Sequence, residues 1–212
     1  MHIPDGILPL PVTLGGYAVC LGALWLSLNR INKRPDPKED IPRASLLTAG
    51  FFAASLIHVP IPPGSVHLVL NGLLGVLLGY YAIPAILIGL FFQAVMFGHG
   101  GLTTLGVNGV IMGLPALMAH YIFRLRNIGS PNPRRTSLFA FIAGAVATLA
   151  SVVLFAVILF TFMPAHLSRA AEQSAILIFM AAHTPLVLIE GLITALIAAF
   201  LLRVRPEILH GV

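Results

Sequence analysis

A histidine at position two is placed to chelate. His2 offers its own backbone nitrogen and its ring Nδ1 beside the terminal amine of Met1, and three nitrogens in that order close fused chelate rings on one metal ion. Three corners of a square are then filled. Tetragonal nitrogen geometry suits Ni(II) or Cu(II), whereas Zn(II) prefers a tetrahedron. The fourth corner has to come from elsewhere, and His67 is the best partner. It follows Pro62-Pro63-Gly64 and is expected in the first turn of a helix, a rigid support for a ligand. Asn71, at i+4 on the same helix face, is a candidate hydrogen-bonding group behind it. The competing reading of a near-terminal histidine is a frayed, solvated chain end, so the surrounding elements must decide.

Those elements belong to a membrane protein. Of 212 residues, 58% are hydrophobic and 9% charged, where soluble domains carry about 25% charged residues. The apolar runs are long and uninterrupted, which predicts helices rather than the alternating strands of a barrel. The expected fold is an all-α polytopic membrane protein, one domain over 1–212, with a metal-chelating terminus at 1–7. Seven transmembrane helices are predicted at 8–28, 45–59, 65–81, 84–97, 107–123, 138–162 and 175–202. Ser65 is expected to cap the third helix and Pro115 to kink the fifth. The glycine-rich stretch from Gly98 to Gly106 reads as a loop, and Gly72, Gly75 and Gly79 as sites of close internal packing. No basic n-region or cleavage site precedes the first span, so Met1 is expected on the mature chain. The lone Cys20 permits no intrachain disulfide and reads as a buried thiol.

Charge orients the helices. With the N-terminus outside and the C-terminus cytoplasmic, Arg30, Lys33, Arg34, Lys38, Arg43, Arg124, Arg126, Arg134, Arg135, Arg203 and Arg205 all face inward and Arg169 alone faces out. The net charge of +5 is then topology, and no nucleic-acid partner is needed to explain it. This orientation gathers His2, His58, His67, His99 and His166 at or near the outer face, with His183 about two turns inside the seventh helix. Imidazoles so concentrated point to metal capture, although interfacial histidine is also inexpensive. A haem or metal oxidoreductase would pair histidines across facing helices, and most of these stand in loops or at helix ends. A hydrolase would need an acid or nucleophile constellation. Glu190, the one acid within a span, lies two turns from His183, as a proton relay or, preferably, a packing hydrogen bond.

Three segments carry a family resemblance. Met1-His2-Ile3-Pro4-Asp5-Gly6-Ile7-Leu8, the run from Pro62 to Gly72, and Gly100-Gly101-Leu102-Thr103-Thr104-Leu105-Gly106-Val107-Asn108 resemble, in matching order, the substrate-capture membrane subunit of nickel and cobalt energy-coupling-factor transporters, the CbiM/NikM family. The resemblance implies seven helices, one of them added at the N-terminus, and a metal site made of the Met1 amine, the His2 amide and ring nitrogens, and a His67 ring nitrogen. It implies Ni(II) or Co(II) as transported substrate, captured with high affinity outside a prokaryotic inner membrane; a cobalt-specific importer subunit feeding cobalamin synthesis is the alternative. Thr103 and Asn108 are candidate donors behind the ligands, and His99 is expected to shape the loop over the site rather than to bind. No phosphate-binding loop of the Walker type occurs in the chain, so it is not expected to be an enzyme. The implied partners are a coupling transmembrane subunit, a pair of ATP-binding-cassette ATPases and a small accessory membrane subunit. The capture subunit would topple within that complex to deliver its ion.

Overall fold

The computed structural model describes residues 2–61, 64–128, 132–162 and 169–210. Met1, the Pro62-Pro63 turn and His166 lie outside them. The elements are α1 (Leu10–Asn32), α2 (Ile41–Leu56), β1 (His58–Ile61), β2 (Gly64–His67), α3 (Asn71–Leu78), α4 (Ala82–Phe97), α5 (Leu105–Arg124), α6 (Pro133–Phe162), α7 (Arg169–Val204) and the short α8 (Glu207–His210). Helices dominate, as expected. Large apolar side chains such as Leu14, Leu21, Trp25, Val157, Leu188 and Phe200 point outward from α1, α6 and α7, a distribution that suits a lipid surround. Among the described residues, five segments are long and apolar enough to cross a bilayer, Asn71–Phe97 (α3, a 3₁₀ turn and α4) counted as one, and α2 is a shorter apolar helix.

Around the third span the structure departs from expectation. In place of a helix over 65–81, strands 58–61 and 64–67 pair as an antiparallel hairpin in which His58 stands opposite His67 and Val59 opposite Val66. Ser65 lies within β2 and not at a helix start, and His67 ends a strand rather than opening a helix. The helix cannot begin before Asn71, because Leu70 adopts a left-handed φ of 52°. The amides of Val69 and Leu70 are taken instead by the carboxylate of Glu190 on α7 (Leu70 N to Oε2, 3.0 Å). Non-helical backbone at membrane depth survives only where protein groups satisfy it, and Glu190 supplies that acceptor.

α3 is consequently only eight residues long. It runs in the direction of α5, with Asn71 bonded to the Met112 carbonyl (3.1 Å) and Gly75 against Ala116. The chain reverses through the 3₁₀ turn Gly79–Tyr81, and α4 returns along α5, setting Ile83 beside Gly113 and Leu87 beside Gly109. Asn71 also donates to Ser151 Oγ at 2.8 Å, so the amide ties α3 to α5 and α6.

Small residues set the helix spacing, as read from the sequence. A Cβ added at Gly72 would lie 2.6 Å from Gly144 Cα on α6, and one at Gly106 would lie 2.5 Å from Tyr17 N on α1. Cys20 is buried against Gly109, Pro115 sits inside an unbroken α5, and α1, α6 and α7 run several residues beyond their predicted bounds, whereas α2 begins at Ile41, ahead of the predicted 45–59, and stops at Leu56 because 58–61 pairs as β1.

Candidate metal centre

The segment before α1 is clamped, not frayed. Asn108 on α5 reads the backbone of Ile3 twice: its Oδ1 accepts from Ile3 N at 2.8 Å and its Nδ2 donates to Ile3 O at 3.0 Å. Thr104 Oγ1 adds a donor to the same carbonyl at 2.6 Å. Two residues later the carboxylate of Asp5 accepts from Leu102 N (3.1 Å), Thr103 N (2.9 Å), Thr103 Oγ1 (2.5 Å) and Thr104 N (3.3 Å), gathering the successive amides that open α5. A carboxylate held by amides at a helix start gains from the helix dipole as well. These bonds, the Thr103 hydroxyl first, hold the Asp5 carboxyl below its ordinary range.

The loop between α4 and α5 is shaped to admit this segment. Gly100, at φ 86°, brings its backbone so close that a Cβ would sit 3.2 Å from His2 Cβ, and a Cβ at Gly101 would strike Asp5, lying 2.7 Å from its backbone nitrogen. The glycines there make room as well as a turn.

With the segment fixed, His2 enters the protein at 3% exposure, beside His67 at 4%. Their rings stack at 5.1 Å between centroids, and His99 meets them at 4.8 and 5.4 Å. One ligand nitrogen from each of His2, His67 and His99 lies within 4.8 Å of the others. Metal–imidazole bonds of about 2 Å place two ligands of one ion at most about 4 Å apart, so small ring rotations close this set on an ion. The Nδ1 of His67 faces the Leu68 carbonyl at 2.7 Å. A carbonyl only accepts, so Nδ1 carries the proton and the lone pair stands on Nε2.

Neither ring nitrogen of His2 has a hydrogen-bond partner among the described residues, although both are buried. A buried imidazole without partners is costly unless something else occupies its lone pair. Burial above all depresses the pKa of His2 and of His67, and brings His99 to about 4. All three rings are therefore neutral at pH 7 and able to ligate.

Thr103 and Asn108 thus hold the N-terminal segment, Asn71 works between helices, and the loop residue His99 joins the cluster as a third imidazole. Two positions carry more than the sequence suggested. Glu190 binds the backbone just after His67 rather than His183, whose Nδ1 bonds the Phe179 carbonyl at 2.8 Å. Asp5 locks the terminus; its signal was an acid followed by glycine directly ahead of a helix.

Comparison with known proteins agrees with this geometry. The family model for the CbiM cobalt uptake substrate-specific transmembrane region matches residues 2–208. A putative metal transport protein of Haemophilus influenzae is 30% identical over 210 residues, covering 99% of this chain and 97% of its own length. The cobalt transport protein CbiM of Sorangium cellulosum is 30% identical, with 99% and 94% covered. A putative fused cobalt transport protein CbiMQ of Methanocorpusculum labreanum is 32% identical, this chain spanning 36% of that longer protein. A crystal structure of a transition metal transporter superposes with a TM-score of 0.76 at 27% identity, covering 96% of this chain and 93% of the other. The clamped histidine terminus thus stands in a multi-pass transmembrane chain that belongs to the CbiM family of substrate-specific regions for cobalt uptake.

Proposed function

We propose that this chain captures Ni(II) at the extracytoplasmic face of a prokaryotic inner membrane, as the substrate-specific component of an energy-coupling-factor importer. The observation that carries this reading is the buried His2 ring, unpartnered and stacked beside His67, on a segment clamped by Asn108. The Met1 amine, the His2 amide and ring Nδ1, and the ring of His67 make four in-plane nitrogens, a set that favours low-spin Ni(II). The family description and the cobalt-named relatives support Co(II) as the second reading. Orientation follows the basic loops, with the N-terminus outside and the C-terminus in the cytoplasm.

Ligation through the Met1 amine and the His2 amide displaces their protons, so capture releases protons. Delivery needs a motor. The fused relative supports a second transport component working beside the chain, here a coupling transmembrane subunit, with a pair of ATP-binding-cassette ATPases and a small accessory membrane subunit.

The test is the optical and X-ray absorption spectrum of purified protein loaded with Ni(II), against the same protein carrying one extra residue ahead of Met1. A square-planar nitrogen signature lost on extension is expected. An unchanged signature removes the amine from the site. Competition between Ni(II) and Co(II) for the unextended protein decides the substrate.

A further inference from the structure

The fourth histidine of this region has no role in that capture site. His58 is exposed on β1, and the hairpin register sets it opposite His67, so both side chains leave the same face of the ribbon. Its ring lies 4.7 Å from that of His99, which in turn contacts His2 and His67. Its Nδ1 meets the Leu56 carbonyl at 3.1 Å, which sets the tautomer with the lone pair on Nε2. The four rings therefore form a graded row: His58 exposed, His99 half-buried, His2 and His67 buried. Among the described acids near this end, Asp5 and Glu190 both spend their oxygens on backbone amides. Neither is placed to draw in a cation.

We propose that His58 and His99 form an outer two-imidazole station that takes a divalent transition-metal ion from solvent and passes it inward to the His2–His67 site. This rests on the capture reading above and adds the route by which the ion arrives. An ion exchanges its waters for imidazole nitrogen on His58 and His99, then exchanges His58 for His2 with His99 still attached. Each step trades one ligand for another, and no bare ion has to pass from solvent to the buried pair. Held one ring away, the ion meets the inner ligands at an effective concentration of about millimolar or above, far beyond that of scarce free metal.

The experiment is stopped-flow capture of Ni(II) by the full chain in detergent, with saturating stoichiometry read separately by equilibrium titration. His58→Ala and His58→Phe are each expected to slow capture about tenfold, within the range over which association rates vary among related variants. His58→Asp, which restores a metal donor, is expected to return the rate to within about twofold of wild type on the same scale. His99→Ala should slow capture to a similar degree, and the double variant His58→Ala/His99→Ala no further, as for residues acting as one unit. Wild-type rates in His58→Ala, an Asp variant as slow as Ala, or effects that multiply in the double variant would each overturn the station. Because titration reads the inner site independently, stoichiometric binding with a rate insensitive to His58 rejects the station alone. Absent binding in wild type rejects the capture reading and the station with it.

Discussion

Replacing Asn108 by Leu tests whether the clamp, rather than the ligands alone, makes the site. The side chain is 2% exposed and makes two bonds to Ile3 that tie the interior of α5 to the N-terminal segment. Leu keeps the volume and removes both. The Ile3 carbonyl retains Thr104 Oγ1 at 2.6 Å, so its loss is that of one ordinary bond, about 1 kcal/mol. The Ile3 amide has no such reserve; left buried without an acceptor it costs about 1–3 kcal/mol. A combined penalty of about 3 kcal/mol corresponds to roughly a hundredfold in an equilibrium constant. That sets the ceiling, because a detached segment regains water and binding then has to re-order it. Ni(II) affinity, measured by competition against a calibrated chelator, should fall by about 10- to 100-fold. Thr104→Val, which removes one donor only, should cost about fivefold, from about 1 kcal/mol. An Asn108→Leu protein that folds with unchanged melting and binds as tightly as wild type refutes the reasoning, as does a larger loss for Thr104→Val.

Other consequences follow from the same contacts. In the proposed coordination His67→Ala removes the fourth equatorial nitrogen, and stoichiometric square-planar Ni(II) binding retained in that variant would exclude His67 as a ligand. Glu190→Ala leaves the Val69 and Leu70 amides buried without their carboxylate; thermal melting in detergent should report a loss of about 2–4 kcal/mol, with Glu190→Gln milder because it keeps one acceptor. Gly72→Ala forces α3 away from Gly144 and should destabilise by about 1–3 kcal/mol through overpacking, with no such loss expected at Gly22, where an added Cβ meets nothing within 4 Å. The Asp5 clasp has a signed pH dependence. Its carboxyl is held below the ordinary aspartate range, so its contribution is complete above an aspartate pKa of about 3.9 and fades only as pH falls through the depressed value. Amide exchange of residues 3–8 should be protected throughout the neutral range and open only in acid; protection lost near pH 6 would contradict it.

Sequence alone determined the solvent and the helices, and it supplied the proposed chelate. Fifty-eight per cent apolar residues leave the chain no fold outside a membrane, and helix is the local answer to that setting because it satisfies its own backbone. The proposed chelate likewise rests on adjacent residues, Met1 and His2, and needs no fold to be suggested. What tertiary structure alone decided is everything that depends on distant partners. The stretch 65–70 has helical neighbours and apolar residues, yet 65–67 is strand because it pairs with 58–60, and Val69 and Leu70 are loop because Glu190, more than a hundred positions away, takes their amides. Ile3 and Asn108 are 105 residues apart, and His58, His67 and His99 share a face only through a hairpin register and a loop packed over it. Periodicity reports a residue's own helix; it carries no information on which far-off carboxylate or amide will arrive to outbid that helix for its backbone.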